Sequence, residues 1–219
     1  MATYVMSDIH GEYDRFLRML KLIQFSDSDH LYIIGDIIDR GSDGVDLALD
    51  IMRRKNVTLL RGNHEQMCCD ALSPRQKFGA HHLWLSNGGG PTYIDLTRMR
   101  DKTTKETILR YFSELPLYLD IEVQSRKFHL VHGMPSVNYN EQDMLWGRPN
   151  PTDASPWEGV TVIVGHTPTY FVDRSILRQE SITIWYGNGI LDIDCGCGHS
   201  PPNRMLACLR LDDMEEIYL

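Results

Sequence analysis

Six oxygen- and nitrogen-bearing side chains, each at the end of a short apolar run, are of the types that bind divalent metal ions. They are Asp8, His10, Asp36, Asn63, His132 and His166. Two carboxylates, one amide and three imidazoles suit borderline-hard divalent cations, whereas a thiolate-rich set would favour softer metals. The pattern therefore predicts a site for one or two such cations.

The apolar runs before these donors must bring them together. Runs such as residues 31–35 and Val160–Val164 are rich in Val, Ile and Leu, which is typical of buried strands. Ligands of open α/β sheets bind beyond the carboxyl ends of the strands. Asp8 and His10, two residues apart, would share one face if strand geometry continued that far. A lone buried histidine is usually a hydrogen-bonded core residue, but five strand ends that all supply ligand types favour a metal site.

Side chains next to the expected ligands could supply acid–base chemistry. Asp36 could bridge two cations through its two oxygens, and Asp39 and Arg40 follow it in a glycine-flanked turn. The plainer interpretation of that turn is a charged loop with an Asp–Arg pair. His64 diverges from the expected ligand Asn63 and is free to act as a general acid, with Asp39 orienting its ring. The same segment also suits a helix start with Asn63 as N-cap.

The composition is that of an ordinary globular protein. A chain of 219 residues, 42% hydrophobic and 24% charged, predicts one domain over residues 1–219. A net charge of -8 and scattered Lys and Arg argue against a nucleic-acid partner. With no long apolar stretch and no basic N-terminal region, we expect no membrane or targeting segment and a cytoplasmic location. The five cysteines lack zinc-site spacing and are expected to be reduced packing residues.

The periodicity of the first half predicts alternating strands and helices, and the second half is mostly β. Helices are expected at residues 13–23, 45–52, 65–72, 81–85 and 103–115, with a turn or loop at 87–91. Strands are expected at the N-terminus, at residues 31–35, 57–60, 119–123, 127–131, 160–164, 181–185, 190–194 and 205–210, and near the C-terminus. This order predicts an α/β protein with two mixed β-sheets packed face to face and flanking helices, parallel at the start and antiparallel at the end. Residues 133–157 lack periodicity and are expected to form a long functional loop.

The motifs, taken in order, resemble those of phosphoprotein phosphatases of the metallophosphoesterase superfamily. The matching segments are Asp8-x-His10, Gly35-Asp36-x-x-Asp39-Arg40-Gly41, Arg61-Gly62-Asn63-His64-Glu65, His132-Gly133 and Gly165-His166. Size, the Asn87-Gly-Gly-Gly stretch and the Leu145-Trp146-Gly147-Arg148 segment are most similar to bacterial and phage Ser/Thr protein phosphatases of the lambda type. The resemblance implies a calcineurin-like fold over nearly the whole chain. The Gly-Met-Pro that follows His132 departs from the pattern of the eukaryotic members.

The resemblance also implies a role for each site residue. Asp8, His10 and Asp36 would bind one metal ion, and Asp36, Asn63, His132 and His166 would bind the other. His64 and Asp39 match the acid–base pair of the family, and Arg40 and Arg148 match its phosphate-binding arginines. The plainer interpretation of Arg148 is a surface arginine beside Trp146. We expect two divalent cations, with Mn²⁺ effective and Fe, Zn, Ni or Co as alternatives.

The expected activity is metal-dependent hydrolysis of phosphate monoesters, above all phosphoserine and phosphothreonine in proteins, with phosphotyrosine as a further substrate. Water activated between two cations would attack phosphorus in line, and His64 would protonate the leaving oxygen. A symmetrical diadenosine tetraphosphatase is the main alternative, although that family typically lacks an aspartate at position 39 and has Asp where this chain has Glu65. A cyclic phosphodiesterase or nuclease, and a silent interaction module, are further alternatives. The expected partner is a phosphorylated protein or peptide.

Overall fold

Two five-stranded sheets form the centre of the computed structural model, which describes residues 1–74, 76–138 and 140–219. The strands are β1 (Thr3–Met6), β2 (His30–Ile33), β3 (Val57–Leu59), β4 (Tyr118–Val123), β5 (Arg126–Val131), β6 (Val160–Val164), β7 (Trp185–Tyr186), β8 (Ile190–Asp192), β9 (Ala207–Arg210) and β10 (Glu215–Tyr218). The helices are α1 (Tyr13–Leu22), α2 (Gly44–Arg53), α3 (Asn63–Leu72), α4 (Ala80–Ser86), α5 (Gly90–Arg98), α6 (Lys102–Glu114), α7 (Glu141–Trp146) and α8 (Thr169–Val172), with a 3-10 turn at Ile176–Arg178.

The first sheet has the strand order β10-β9-β1-β2-β3. Strands β1, β2 and β3 pair in parallel, as the early βαβ rhythm predicts, and β9 and β10 add antiparallel strands beyond β1. Helix α1 buries Phe16, Met19 and Leu20, which recur at helical spacing and join the core cluster around Met6 and Ile33. The parallel strands therefore end at one edge of the sheet with their helices packed alongside.

The second sheet has the order β4-β5-β6-β8-β7 and packs against the first. Val5 and Ile34 of the first sheet share a buried cluster with Leu130 and Val162 of the second. Strands β5, β6 and β8 are parallel, and only the outer strands β4 and β7 run antiparallel to their neighbours. The predicted antiparallel finish is thus wrong for this sheet, because long connections between β5, β6 and β8 let the chain return in the same direction.

Three predicted segments differ from the structure. Residues 181–185 were expected to be a strand, but only Trp185–Tyr186 pair, at the sheet edge. The expected loop at 133–157 contains α7, whose six residues are too few to show a helical period and bury Met144 and Leu145. The expected turn at 87–91 is shorter, because α5 begins at Gly90 with Pro91 in its first turn, where a missing N–H costs nothing.

Two further features bear on function. No helix in the described parts of the chain is long and apolar enough to cross a membrane. The five cysteines are free thiols, and burial raises the pKa of each, which keeps the thiol protonated and unreactive. The expectation that they are packing residues fits this environment.

Candidate metal centre

The six donors expected from sequence lie together beyond the carboxyl ends of β1, β2, β3, β5 and β6. They are Asp8, His10, Asp36, Asn63, His132 and His166, of which only His166 retains partial exposure. The carboxyl edges of both sheets meet here, because the strands that carry the donors are parallel within each sheet. Strand topology, not proximity in sequence, creates the cluster.

Left-handed backbone turns aim several of these side chains. Asp8 has a φ of 51°, His10 of 49°, Asp36 of 54° and His166 of 67°, all in a region that non-glycine residues rarely occupy. Strand β1 ends at Met6, so the expected continuation of strand geometry to Asp8 and His10 is wrong. The side chains of Asp8 and His10 reach the centre because the backbone turns at each of them through a positive φ. Such strain clusters at active sites.

Asp36 lies in the middle of the cluster. Its Oδ2 atom is 3.2 Å from His132 Nε2, 3.8 Å from His10 Nε2 and 3.8 Å from His64 Nε2. Burial opposes ionisation of Asp36, but the neighbouring imidazoles, His132 foremost, hold its pKa well below the usual value. The carboxylate is therefore charged and lies between imidazoles from separate segments of the chain.

Two groups of ligand atoms share this carboxylate. Asp36, His132 and His166 form one group, and Asp36, His10 and His64 form the other, with ligand atoms within 4.8 Å of one another in each. Asn63 Oδ1 belongs with the first group, at 2.9 Å from His132 Nε2 and 2.9 Å from His166 Nδ1.

Asp8 lies at the margin of the second group. Its Oδ1 is 3.8 Å from His10 Nε2, while its Oδ2 accepts hydrogen bonds from the Ser7 hydroxyl and the His166 backbone N–H. Burial, the largest influence, raises the pKa of the Asp8 carboxyl. A cation near Oδ1 would offset that cost of burial.

Backbone carbonyls fix the orientation of two imidazoles, because His10 Nδ1 donates to the Ile38 carbonyl at 3.0 Å and His132 Nδ1 donates to the Ile34 carbonyl at 2.8 Å. The Nε2 lone pair of His10 therefore faces the cluster. Burial opposes protonation of His132, but Asp36 outweighs it and raises the pKa of His132 to about 10, so a metal ion would have to displace the proton on its Nε2. Among the described residues, His10 Nε2 and His166 Nε2 are buried without any hydrogen-bond partner. Burying a polar atom without a hydrogen-bond partner costs about 1–3 kcal/mol of folding free energy.

The charge states of two histidines also suit metal binding. Burial holds the pKa of His10 well below its usual value, and burial together with the nearby His132 lowers the pKa of His166 to about 3. Both rings are therefore neutral, as a metal ligand must be. The donor types, the orphaned nitrogens and these charge states fit divalent cations.

His64 is held by a buried aspartate. Its Nδ1 donates to Asp39 Oδ2 at 2.7 Å, as the sequence predicted for an acid–base pair. Burial opposes protonation of His64, but Asp36 and Asp39 outweigh it and raise its pKa. A proton on Nε2 would then face the cluster, next to Asp36.

Trp84 and Thr92 support the same aspartate, a role that the sequence did not reveal. The Trp84 indole N–H donates to Asp39 Oδ2 at 2.7 Å, and the Asp39 backbone N–H donates to Thr92 Oγ1 at 3.0 Å. Trp84 is fully buried and stands directly before the glycine-rich turn, where a Cβ on Gly89 would approach its indole nitrogen to 2.5 Å. The only available signal was the proximity of a tryptophan to that turn.

Glu65 connects the segment around Asp36 to the segment around Asn63. Its carboxylate accepts N–H groups from Gly62 at 2.9 Å, from Asp36 at 2.9 Å and from Ile37 at 3.0 Å. Gly62, rather than Asn63, is the N-cap of α3, so the expectation of an Asn63 cap is wrong and its amide stays free for the cluster. A side chain at Gly62 would collide with Asp36, which explains the glycine.

Both expected arginines lie close enough to histidines of the site to affect them. Arg40 Nη1 is 2.7 Å from His199 Nε2, and Nη2 is 3.3 Å from His64 Nε2. Arg148 is exposed, and its charge helps to lower the pKa of His166 and of His199. His199 was absent from the residues expected from sequence, because it follows no strand-like run.

This fold and this buried donor centre define a metallophosphoesterase, a hydrolase class that uses divalent metal ions. The family model for calcineurin-like phosphoesterases matches residues 1–203, and the chain belongs to that family. Serine/threonine-protein phosphatase 1 of Salmonella typhimurium is 29% identical over 153 residues, which cover 66% of this chain and 68% of that relative.

Two other similarities are to proteins named as nucleotide hydrolases. The symmetrical bis(5'-nucleosyl)-tetraphosphatase of Salmonella paratyphi B is 37% identical over 67 residues, 30% of this chain and 24% of that protein. A solved structure described as a candidate diadenosine tetraphosphatase superposes with a TM-score of 0.65 at 17% identity, covering 99% of this chain and 92% of the other. At that identity the likeness shows the fold alone.

Proposed function

We propose that this protein hydrolyses phosphate monoesters, chiefly phosphoserine and phosphothreonine in proteins. The reaction would use two divalent cations, and Mn²⁺ would be effective at both positions. The observation that carries this proposal is the Asp39–His64 pair, because a proton donor stands beside the carboxylate that both ligand groups share. An alkoxide from serine or threonine is a poor leaving group and needs a proton. The similarity to Ser/Thr protein phosphatases supports the same substrate class.

The proposal divides the cluster between the two cations. Asp8, His10 and Asp36 would hold one, and Asp36, Asn63, His132 and His166 would hold the other. Bound cations would supply an activated water and neutralise phosphoryl charge. The Ile38 and Ile34 carbonyls, which accept hydrogen bonds from His10 and His132, keep these rings oriented for this role.

The remaining residues would act on the phosphoryl group itself. The guanidinium groups of Arg40, which contacts His64, and of Arg148, whose charge acts on His166, would bind phosphoryl oxygens. His64 would donate its Nε2 proton to the leaving oxygen. Asp39 would keep the Nδ1 proton in place and stabilise the protonated ring.

A neighbouring groove suits a peptide substrate. It has a volume of about 610 Å³, and Met67, Leu83, Leu145 and Trp146 are among the residues that line it. Trp146 connects the groove to the centre, because its ring lies 5.7 Å from the ring of His166. Residues flanking a phosphorylated serine would have room to bind there while the phosphoryl group reaches the cluster.

A symmetrical dinucleoside tetraphosphatase is the second candidate, favoured by the match of 67 residues to that enzyme. Asp39 and Glu65 argue against it, since we expect that family to lack the first and to carry Asp at the second. A silent interaction module is the non-enzyme alternative. It would have no need for the buried acid–base pair or for the buried imidazole nitrogens of His10 and His166, which lack hydrogen-bond partners among the described residues.

The test is a substrate panel with the Mn²⁺-loaded protein. A phosphoserine peptide, free phosphoserine, p-nitrophenyl phosphate, bis-p-nitrophenyl phosphate and diadenosine tetraphosphate would be compared by kcat/KM, with and without a chelator. We expect the phosphopeptide to be preferred over free phosphoserine and over the diesters, and chelation to abolish turnover. His82→Asn, at an exposed position on α4, is the control for His64→Asn. Preference for diadenosine tetraphosphate would overturn the proposal.

A further inference from the structure

One histidine outside the donor cluster contacts an arginine of the proposed phosphate site. His199 Nε2 lies 2.7 Å from Arg40 Nη1. A guanidinium has only donors, so the imidazole nitrogen must be the acceptor, and the His199 proton therefore sits on Nδ1. The distance is that of a short, charge-assisted hydrogen bond.

The loop that carries His199 is fixed in place. The backbone N–H of His199 donates to the Gly196 carbonyl at 2.9 Å, and Gly196 donates to Asp194 Oδ1 at 2.9 Å. Gly198 lies so close to His10 that a Cβ there would collide with the imidazole. The His199 ring stands edge-on to His10, with centroids 6.4 Å apart. The acceptor is thus held at a defined distance from the cluster.

A neutral acceptor has an advantage at this position. Because the guanidinium can only donate, the His199 ring that accepts from it is neutral. A carboxylate would cancel the charge of Arg40 and compete with the phosphoryl group. The imidazole uses one of the five N–H donors of the guanidinium and leaves its positive charge intact.

Arg40 also contacts the proposed proton donor. Its Nη2 is 3.3 Å from His64 Nε2, the atom that must carry the proton for the leaving oxygen. The shorter contact with His199 holds the other terminal nitrogen of the guanidinium, Nη1. The backbone of Arg40 is held as well, since its N–H donates to the Gly88 carbonyl at 2.9 Å.

From these contacts we infer that His199 is a positioning residue that orients the Arg40 guanidinium for the substrate phosphoryl group. The inference rests on the proposed phosphatase function, because Arg40 binds phosphate only in that proposal. It adds a residue from the C-terminal segment to a site otherwise drawn from the strand ends.

Phosphate binding tests the inference without turnover. Calorimetric titration of inorganic phosphate into the Mn²⁺-loaded protein should show about tenfold weaker binding in His199→Phe, the order expected for loss of one hydrogen bond to a charged group. His199→Gln keeps an acceptor and should recover most of the affinity. His199→Ala is a second removal variant in case the phenyl ring does not fit. Ser200→Ala, at the exposed next residue, is the matched control and should bind phosphate normally.

A double-mutant cycle separates positioning from general damage. In an Arg40→Ala background, His199→Phe should cause little further loss of phosphate affinity, because the residue that it orients is gone. Additive losses would overturn the inference, as would normal phosphate affinity in both His199→Phe and His199→Ala. Metal content and thermal unfolding, measured on every variant, should match the parent protein.

The two proposals fail in different ways. If the parent protein has no monoesterase activity but the cycle shows coupling between His199 and Arg40 in phosphate binding, the function is wrong and the positioning role stands. If the parent protein hydrolyses phosphopeptides while the losses are additive, the function stands and the role of His199 is wrong.

Discussion

Replacing Trp84 by phenylalanine would remove one of the two N–H groups that Asp39 Oδ2 accepts. Trp84 is fully buried, and its indole N–H lies 2.7 Å from that oxygen. Among the described residues, the other oxygen of Asp39 has no hydrogen-bond partner. No second donor would therefore compensate for the loss of the indole N–H. Loss of a hydrogen bond to a charged group costs about 1.5–3 kcal/mol, and the smaller ring adds about 1 kcal/mol of lost burial. We expect the free energy of unfolding to fall by about 2.5–4 kcal/mol.

The same change should alter catalysis through His64. With one donor fewer, Asp39 holds more negative charge and binds the Nδ1 proton of His64 more strongly, which makes the ring a weaker acid. We expect kcat on a phosphoserine peptide to fall about tenfold, a part of the range of general acid catalysis. The loss on p-nitrophenyl phosphate should be smaller, because its leaving group needs no proton.

The assay compares kcat for the two substrates in the parent protein and the variant, together with chemical denaturation. Trp185→Phe is the matched control, because that tryptophan is buried in the second sheet. It should lower stability without changing the ratio of the two rates. If Trp84→Phe reduced both rates equally, or left both unchanged, the link from Trp84 through Asp39 to the proton donor would be refuted.

Three further outcomes are expected. Asp36→Asn should lower bound Mn²⁺, measured by elemental analysis, more than His64→Asn does, because Asp36 stands between both ligand groups; equal losses would contradict its bridging role. His64→Asn should reduce turnover of a phosphoserine peptide by about 10² to 10⁴ and of p-nitrophenyl phosphate by less; identical losses would favour a role in positioning water. Arg148→Lys should keep both metal ions and the melting temperature but weaken inhibition by inorganic phosphate, because lysine lacks the planar fork; unchanged inhibition would remove Arg148 from the site.

The donors could be found from sequence because their positions follow a simple rule of topology. Apolar runs in a βαβ order form parallel strands, and the carboxyl ends of parallel strands meet at one edge. Asp36 after β2 and His166 after β6 are brought together by this rule although they are far apart in the chain. The rule needs only strand positions, which the clusters of Val, Ile and Leu mark well.

The supporting residues could not be found in this way. Trp84 reaches Asp39 across 45 positions, and His199 reaches Arg40 across 159, and neither follows a strand-like run. Their roles depend on how loops pack over the edge of the sheets, which periodicity does not encode. Helix α7 was missed for a related reason, since six residues stabilised by an Asn140 cap and two buried side chains leave no repeating pattern.

The left-handed backbone at four donors limits how easily this centre could be grafted onto another protein scaffold. These donors are Asp8, His10, Asp36 and His166. An engineer who copied the six side chains onto regular strand ends of another scaffold would obtain the correct residue types with the wrong directions, because an extended chain alternates sides at each step. The unusual φ angles would have to be reproduced as well, together with the contacts that hold them. One example is the pair of hydrogen bonds that the Glu65 carboxylate accepts from the backbone N–H groups of Asp36 and Ile37. The smallest transferable unit is therefore a set of loops with their own supports, rather than a list of ligands.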